Sequence, residues 1–153
     1  MTKKAIIITV PVLVSLLLVY LFLPSDTKRI RKIIYDGRDA IVRKDLERVM
    51  AHVSYNYRDR YGFTYLSIKE NLKSLFQRTE SFEIEVDNLR VEVNDKKAEA
   101  RFLIKVKALE TAGEVFLLGS EDVYESVFIS LEKERLKWLV TETYFPTREG
   151  IAF

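Results

Sequence analysis

Cysteine is missing from this chain altogether, and histidine occurs once. The first absence excludes disulfides, thiolate metal sites, a cysteine nucleophile and a lipidated N-terminal cysteine. The second leaves His52 as the single imidazole, so a zinc centre would need several carboxylates, and neither HExxH nor a paired Asp/Glu spacing supplies them. A Ser-His-Asp set would also require His52, yet no G-x-S-x-G elbow exists to present a nucleophile. The five glycines are scattered, which leaves no loop to cradle a phosphate. Neither metal nor cofactor is expected, and His52 reads as a boundary residue at the edge of an apolar helical stripe.

What the first part of the chain has is hydrocarbon. Ala5 to Leu23 reads AIIITVPVLVSLLLVYLFL, without one charge. At about 1.5 Å per residue it would span roughly 28 Å as a helix, close to a bilayer core of ~30 Å. Pro11 lies in its first half, where a membrane helix tolerates proline better than a soluble one does. A cleaved signal peptide is the alternative, but the run exceeds the usual apolar core and FLPSDTK lacks small residues in an A-x-A arrangement. The expectation is a single-pass anchor over residues 1–24, a domain over 25–148 and a tail over 149–153. Lys3 and Lys4 favour a cytoplasmic N-terminus, whereas Lys28, Arg29, Arg31 and Lys32 pull the other way. The short tail with two lysines resembles a signal anchor, which puts the domain outside the cytoplasm.

Setting those two lysines aside leaves 23 basic residues against 23 acidic ones. A neutral domain has no long-range field to attract a polyanion, which argues against nucleic acid as the main ligand. With 48% hydrophobic and 31% charged residues, the chain reads as one folded domain.

Hydrophobic periodicity then changes once. Ser25 or Asp26 can cap a helix whose stripe is Ile30, Ile33, Ile34 and Ile41, with Gly37 on the same side. A glycine there costs about 1 kcal/mol, so close packing against another element is expected. Lys28, Arg29, Arg31 and Lys32 lie mostly off the stripe, where they could meet anionic headgroups or simply water. A second helix runs from Asp45 with Leu46, Val49, Met50 and Val53, and a third follows Thr64 with Ile68, Leu72, Leu75 and Phe76. From Ser81 the period becomes two: Phe82, Ile84 and Val86, then a phase slip at Asp87–Asn88 that predicts a bulge, then Leu89, Val91 and Val93. NDKK is a turn into a strand with Ala98, Ala100, Phe102, Ile104 and Val106 on one face. Within EVFLLGSED the four apolar residues read as a strand pairing with Ala98–Leu109, or else as an exposed patch. Val123, Val127, Ile129 and Leu131 form the next strand, and Leu136, Trp138 and Val140 the last. Helices first and antiparallel strands after give an α+β class, a curved sheet with helices on its inner face.

This order resembles the nuclear transport factor 2-like superfamily, the cone fold that includes SnoaL-like proteins and ketosteroid isomerases. The pieces that carry it are DLERVMAHVSYNYRDRYG as second helix and turn, TYLSIKENLKSLF as third helix, and VFISLEKERLKWLVTETY as a charged hairpin with a tryptophan-bearing strand. The resemblance covers roughly residues 26–146. It implies a cone of about three helices on a curved sheet, and pairing through the open face carrying Leu103 and Phe128 to give a dimer. It also implies a position for a proton-abstracting aspartate after the second helix, which Asp59 approximates. Tyr55, Tyr57 or Tyr61 would supply a phenol there, and Phe102 and Trp138 complete the candidates for a ligand pocket. The alternative is that YNYRDRYGF is a corner, with Asp59 accepting backbone hydrogen bonds before Gly62. No second buried acid is visible on the strands, so an oxyanion partner is lacking. Two functions follow: a membrane-anchored, non-catalytic domain binding a protein partner or small apolar ligand, or a SnoaL-like enzyme with Asp59 as base.

Overall fold

The structure is a computed structural model, and it describes residues 25–146. The expected anchor and the expected tail therefore lie outside the described residues. Among the described residues no helix is long and apolar enough to cross a membrane.

Helix α1 spans Asp26–Val42. The Ser25 side chain accepts from the Lys28 N–H, satisfying one of the donors that a helix start leaves open. Ile30, Ile34 and Ala40 are its buried residues. It stops where Lys44 turns into the left-handed region at φ 56°, with the Lys44 and Asp45 N–H groups bonded back to Ile41 and Ala40. Asp45 then caps α2, Leu46–Met50, by accepting from Arg48 N at 3.1 Å. Helix α3, Tyr65–Arg78, opens with a capping box: Ser67 N donates to Thr64 Oγ1 and Thr64 N to Ser67 Oγ.

The second helix is far shorter than the periodicity predicts. Its continuation is captured by the sheet: Val53 bridges Val140, with Ser54 N donating to Val140 O at 2.9 Å and Val140 N to His52 O at 2.8 Å. Those long-range bonds replace the helical ones, so residues 51–63 run as turns and bridges rather than as helix.

The strands are β1 (Thr79–Asn94), β2 (Lys97–Glu110), β3 (Gly113–Leu118), β4 (Glu125–Glu134) and β5 (Lys137–Tyr144). They form an antiparallel sheet ordered β1-β2-β4-β5, with β3 also on β2. Strands β3 and β4 share one edge of β2, β3 along Val106–Glu110 and β4 along Lys97–Ile104. The β3 strand is the paired reading of the apolar run in EVFLLGSED. The β1–β2 register slips between Asp87 and Arg90, with Asn88 at φ 51°. The bulge frees the Leu89 carbonyl, and Arg31 Nη2 donates to it at 2.9 Å across from α1. Arg31 thus reaches back to the domain although it is exposed, as Lys28 and Lys32 are, and Arg29 is half-buried.

Two strand expectations and one helix expectation are corrected. Val123 lies before β4 and is 59% exposed, because Gly119 and the Ser120–Val123 backbone pair make a turn there. A side chain at Gly119, whose φ is 74°, would collide with the Val123 carbonyl. Leu136 belongs to the β4–β5 hairpin turn and is 82% exposed. Gly37 does not mark close packing, since a Cβ there would meet nothing within 4 Å.

The core has two parts. One gathers Ile30, Ile34, Leu89, Ala100, Phe102, Val127, Leu131, Trp138 and Val140. The other joins Phe76, Phe82, Val106 and Ala108 at the far part of β1 and β2.

Candidate functional site

Both core groups contribute walls to one cavity of about 770 Å³. The alternation of β1, β2 and β4 puts Phe82, Ile84, Phe102, Ile104, Val106, Val127 and Ile129 on it. Helix α1 adds Ile33, Ile34, Gly37 and Ile41, and α3 adds Ile68, Leu72 and Leu75 at helical spacing. The open space at Gly37 belongs to this cavity, which is why the glycine meets no neighbour. A chamber of this size with aliphatic and aromatic walls suits a small ligand.

Polar groups enter the wall at a few places. Residues 57–63 form a tight loop around Asp59, closed by Asp59 N to Phe63 O at 3.1 Å and by Gly62 at φ 87°. Asp59 Oδ1 accepts from Tyr61 N at 2.9 Å and Phe63 N at 3.0 Å. Its Oδ2 accepts from the Tyr57 hydroxyl at 3.0 Å. Tyr57 is 3% exposed, and burial, with the neighbouring Asp59, pushes its phenol well above the ordinary value, so it stays protonated as a donor. Thr143 on β5 also lines the cavity, beside the same phenol. Tyr61 donates to Phe145 O at 3.0 Å and accepts from Phe145 N at 3.1 Å, which pins the segment after β5.

The structure therefore brings Tyr57, Asp59, Tyr61 and Phe102 together on one cavity and leaves two candidates out. Tyr55 is 81% exposed and packs on Tyr65, ring centroids 4.6 Å apart, because the turn at Ser54–Asn56 throws it outward. Trp138 is buried beneath α1, its Nε1 donating to Asp26 Oδ1 at 3.0 Å. Lys133 Nζ reaches the same carboxylate at 2.9 Å, and these bonds hold Asp26 below the usual carboxylate range.

Sequence reasoning missed Arg38, Asn71, Ser74 and Arg78, which also line the cavity. Asn71, Ser74 and Arg78 follow the apolar stripe of α3 at its border, a spacing that could have pointed to them. His52 lines the cavity rather than only bounding a helix. Burial holds its imidazole below the ordinary 6.5, so the ring is neutral at neutral pH. Asp59 is the sole carboxylate among the described residues of the wall. Chemically, the arrangement offers an apolar chamber, one carboxylate fixed by three donors and one protonated phenol. Among the described residues no cluster of His, Asp or Glu could hold a metal ion.

No protein-family model matches the sequence, and no curated protein matches it. Solved structures do. A protein of Novosphingobium aromaticivorans, provisionally named an aromatic ring hydroxylase, gives a TM-score of 0.67 at 15% identity, covering 78% of this chain and 87% of its own. A second from that organism, provisionally named a scytalone dehydratase, gives 0.66 at 14% identity over 76% of this chain and 80% of its own. A third, provisionally named a dehydratase of the nuclear transport factor 2-like family of Streptomyces avermitilis, gives 0.65 at 10% identity over 78% and 93%. The chain has the α+β cone fold of the nuclear transport factor 2-like proteins. Identities this low establish the fold and leave the activity to the site.

Proposed function

We propose that this domain is a non-catalytic receptor for a small apolar ligand, held at a membrane by Ala5–Leu23 and facing away from the cytoplasm. The observation that carries the binding function is the 770 Å³ chamber with its hydrocarbon walls. Asp59 supports a non-catalytic reading, because its carboxylate already serves two backbone N–H groups and the Tyr57 phenol. The uncharged N-terminal stretch, long enough for a bilayer core, supports the anchor. Titrating the full chain with the neutral dye N-phenyl-1-naphthylamine tests the receptor function. Saturable binding, one dye per chain, is expected; the absence of saturable binding counts against it.

The contact between Tyr57 and Asp59 on the cavity wall favours a second reading, a lyase or isomerase of the SnoaL kind with Asp59 as base. Asp59→Asn separates the two: an isomerase or lyase loses turnover by orders of magnitude, whereas a receptor keeps its dye affinity. The outer sheet face remains a proposed dimer surface. There Phe128 and Tyr144 pack 5.9 Å apart, with Arg101 and Arg60 over their rings.

A further inference from the structure

The polar residues of the cavity wall are of two kinds, and the difference carries information about the ligand. Tyr57, Asp59 and Tyr61 bond one another or the local backbone. Arg38, Asn71, Ser74 and Arg78 are different. They sit on the two helices that edge the chamber, and Asn71, Ser74 and Arg78 are exposed to solvent while still lining it. Residues that touch both the chamber and the solvent mark its mouth. Gly37, next to Arg38, lines the chamber too, with nothing within 4 Å of where a Cβ would stand.

Arg38 and Arg78 are the only cations of the described wall, His52 being neutral at pH 7. Their present partners are surface groups, and the Arg38 guanidinium also lies over the Tyr35 ring, 5.2 Å from its centroid. Arg38 Nε and Nη2 both go to Asp39 Oδ1, at 2.8 and 2.7 Å. Arg78 Nε lies 3.6 Å from Glu110 Oε1, with its side chain 63% exposed. Pairs this exposed are weak, so the guanidinium edges they leave can take a further anion. No acid of the wall opposes an anion at the mouth, since Asp59 is tied into its own loop.

We infer that the ligand is a single-tailed amphipathic carboxylate, its tail in the chamber and its head held at the mouth by Arg38 and Arg78. This inference rests on the receptor function proposed above and names its ligand class. Asn71 and Ser74 supply neutral hydrogen bonds beside the head, and the aliphatic walls discriminate by chain length. Affinity should rise about fourfold per added methylene until the chamber is full.

Photolabelling of the full chain in lipid nanodiscs tests it, with a diazirine-tailed palmitate and the corresponding methyl ester as probes. The acid is expected to label wall peptides containing Phe102 or Val127 about tenfold more than the ester does. Replacing both arginines, Arg38→Gln with Arg78→Gln, should bring acid labelling down to the ester level. Arg38→Lys with Arg78→Lys should keep part of the preference, because the charge is retained. Equal wall labelling by acid and ester in the unaltered chain, or a preference that survives loss of both arginines, overturns the head-group site and leaves the receptor function standing. Wall labelling by neither probe overturns both.

Discussion

The Tyr57 hydroxyl lies 3.0 Å from Asp59 Oδ2, while Oδ1 of the same carboxylate holds the N–H groups of Tyr61 and Phe63. The pair closes the loop that puts three aromatic rings on the cavity wall. Asp59→Ala should therefore destabilise the domain by about 1–3 kcal/mol, because it orphans two backbone donors and a buried phenol. Asp59→Asn keeps an acceptor for the backbone and should cost less, about 1 kcal/mol. Urea unfolding midpoints check the order; an Asp59→Ala variant as stable as the parent would show that the loop does not depend on this carboxylate.

Gly37→Ala should stabilise the domain by about 0.5–1 kcal/mol. The position is inside α1, and the added methyl meets nothing within 4 Å. Thermal unfolding would show a higher midpoint. A lower one would mean that α1 sits closer to the sheet than the structure has it.

Core position and cavity position should respond differently to truncation. Leu131 is 1% exposed and faces the packed group under α1, so Leu131→Ala should cost about 2–5 kcal/mol. Ile129, two residues earlier on β4, borders space that is already empty, and Ile129→Ala should cost distinctly less. Equal losses in chemical denaturation would contradict an open chamber.

Much of this was legible in the sequence. The bulge at Asp87–Asn88 is visible as a phase slip in the alternation, Thr64 caps α3 as its side chain suggests, and of Ser25 and Asp26 it is Ser25 that caps α1. These features are local, and a local pattern records them. The end of α2 at Met50 was not legible, because Val140, far along the chain, competes for the backbone of His52 and Ser54. The site shows the same division. Tyr57, Asp59, Tyr61 and Phe102 follow from the family resemblance, but the outward turn of Tyr55 and the burial of Trp138 against Asp26 depend on tertiary contacts. Arg38 and Arg78 look like ordinary surface charge until α1 and α3 are placed beside the same chamber.

Two groups set a pH dependence of stability. His52 has a folded pKa below 6.5, chiefly through burial, with Arg48 and Lys32 lowering it further and Asp36 opposing. The unfolded chain takes up its proton first, so stability should fall as pH drops through 6.5 and level off below the folded value. Asp26 is also depressed, chiefly by the Trp138 and Lys133 hydrogen bonds, from an ordinary 3.8. Its contribution is fully present above that value and is lost as pH falls through the lower folded one. His52→Gln should flatten the first step and Asp26→Asn the second in unfolding midpoints measured from pH 7 to pH 2. A profile unchanged in both variants would refute this assignment.

The chamber itself is tested most directly by the affinity of Gly37→Phe for the neutral naphthylamine dye. Gly37 lines the chamber and a Cβ there meets nothing within 4 Å, so the ring would occupy chamber space. The predicted result is a variant that unfolds no earlier than the parent and binds the dye at least tenfold more weakly (about 1.4 kcal/mol). A folded variant that binds the dye as tightly as the parent would contradict it.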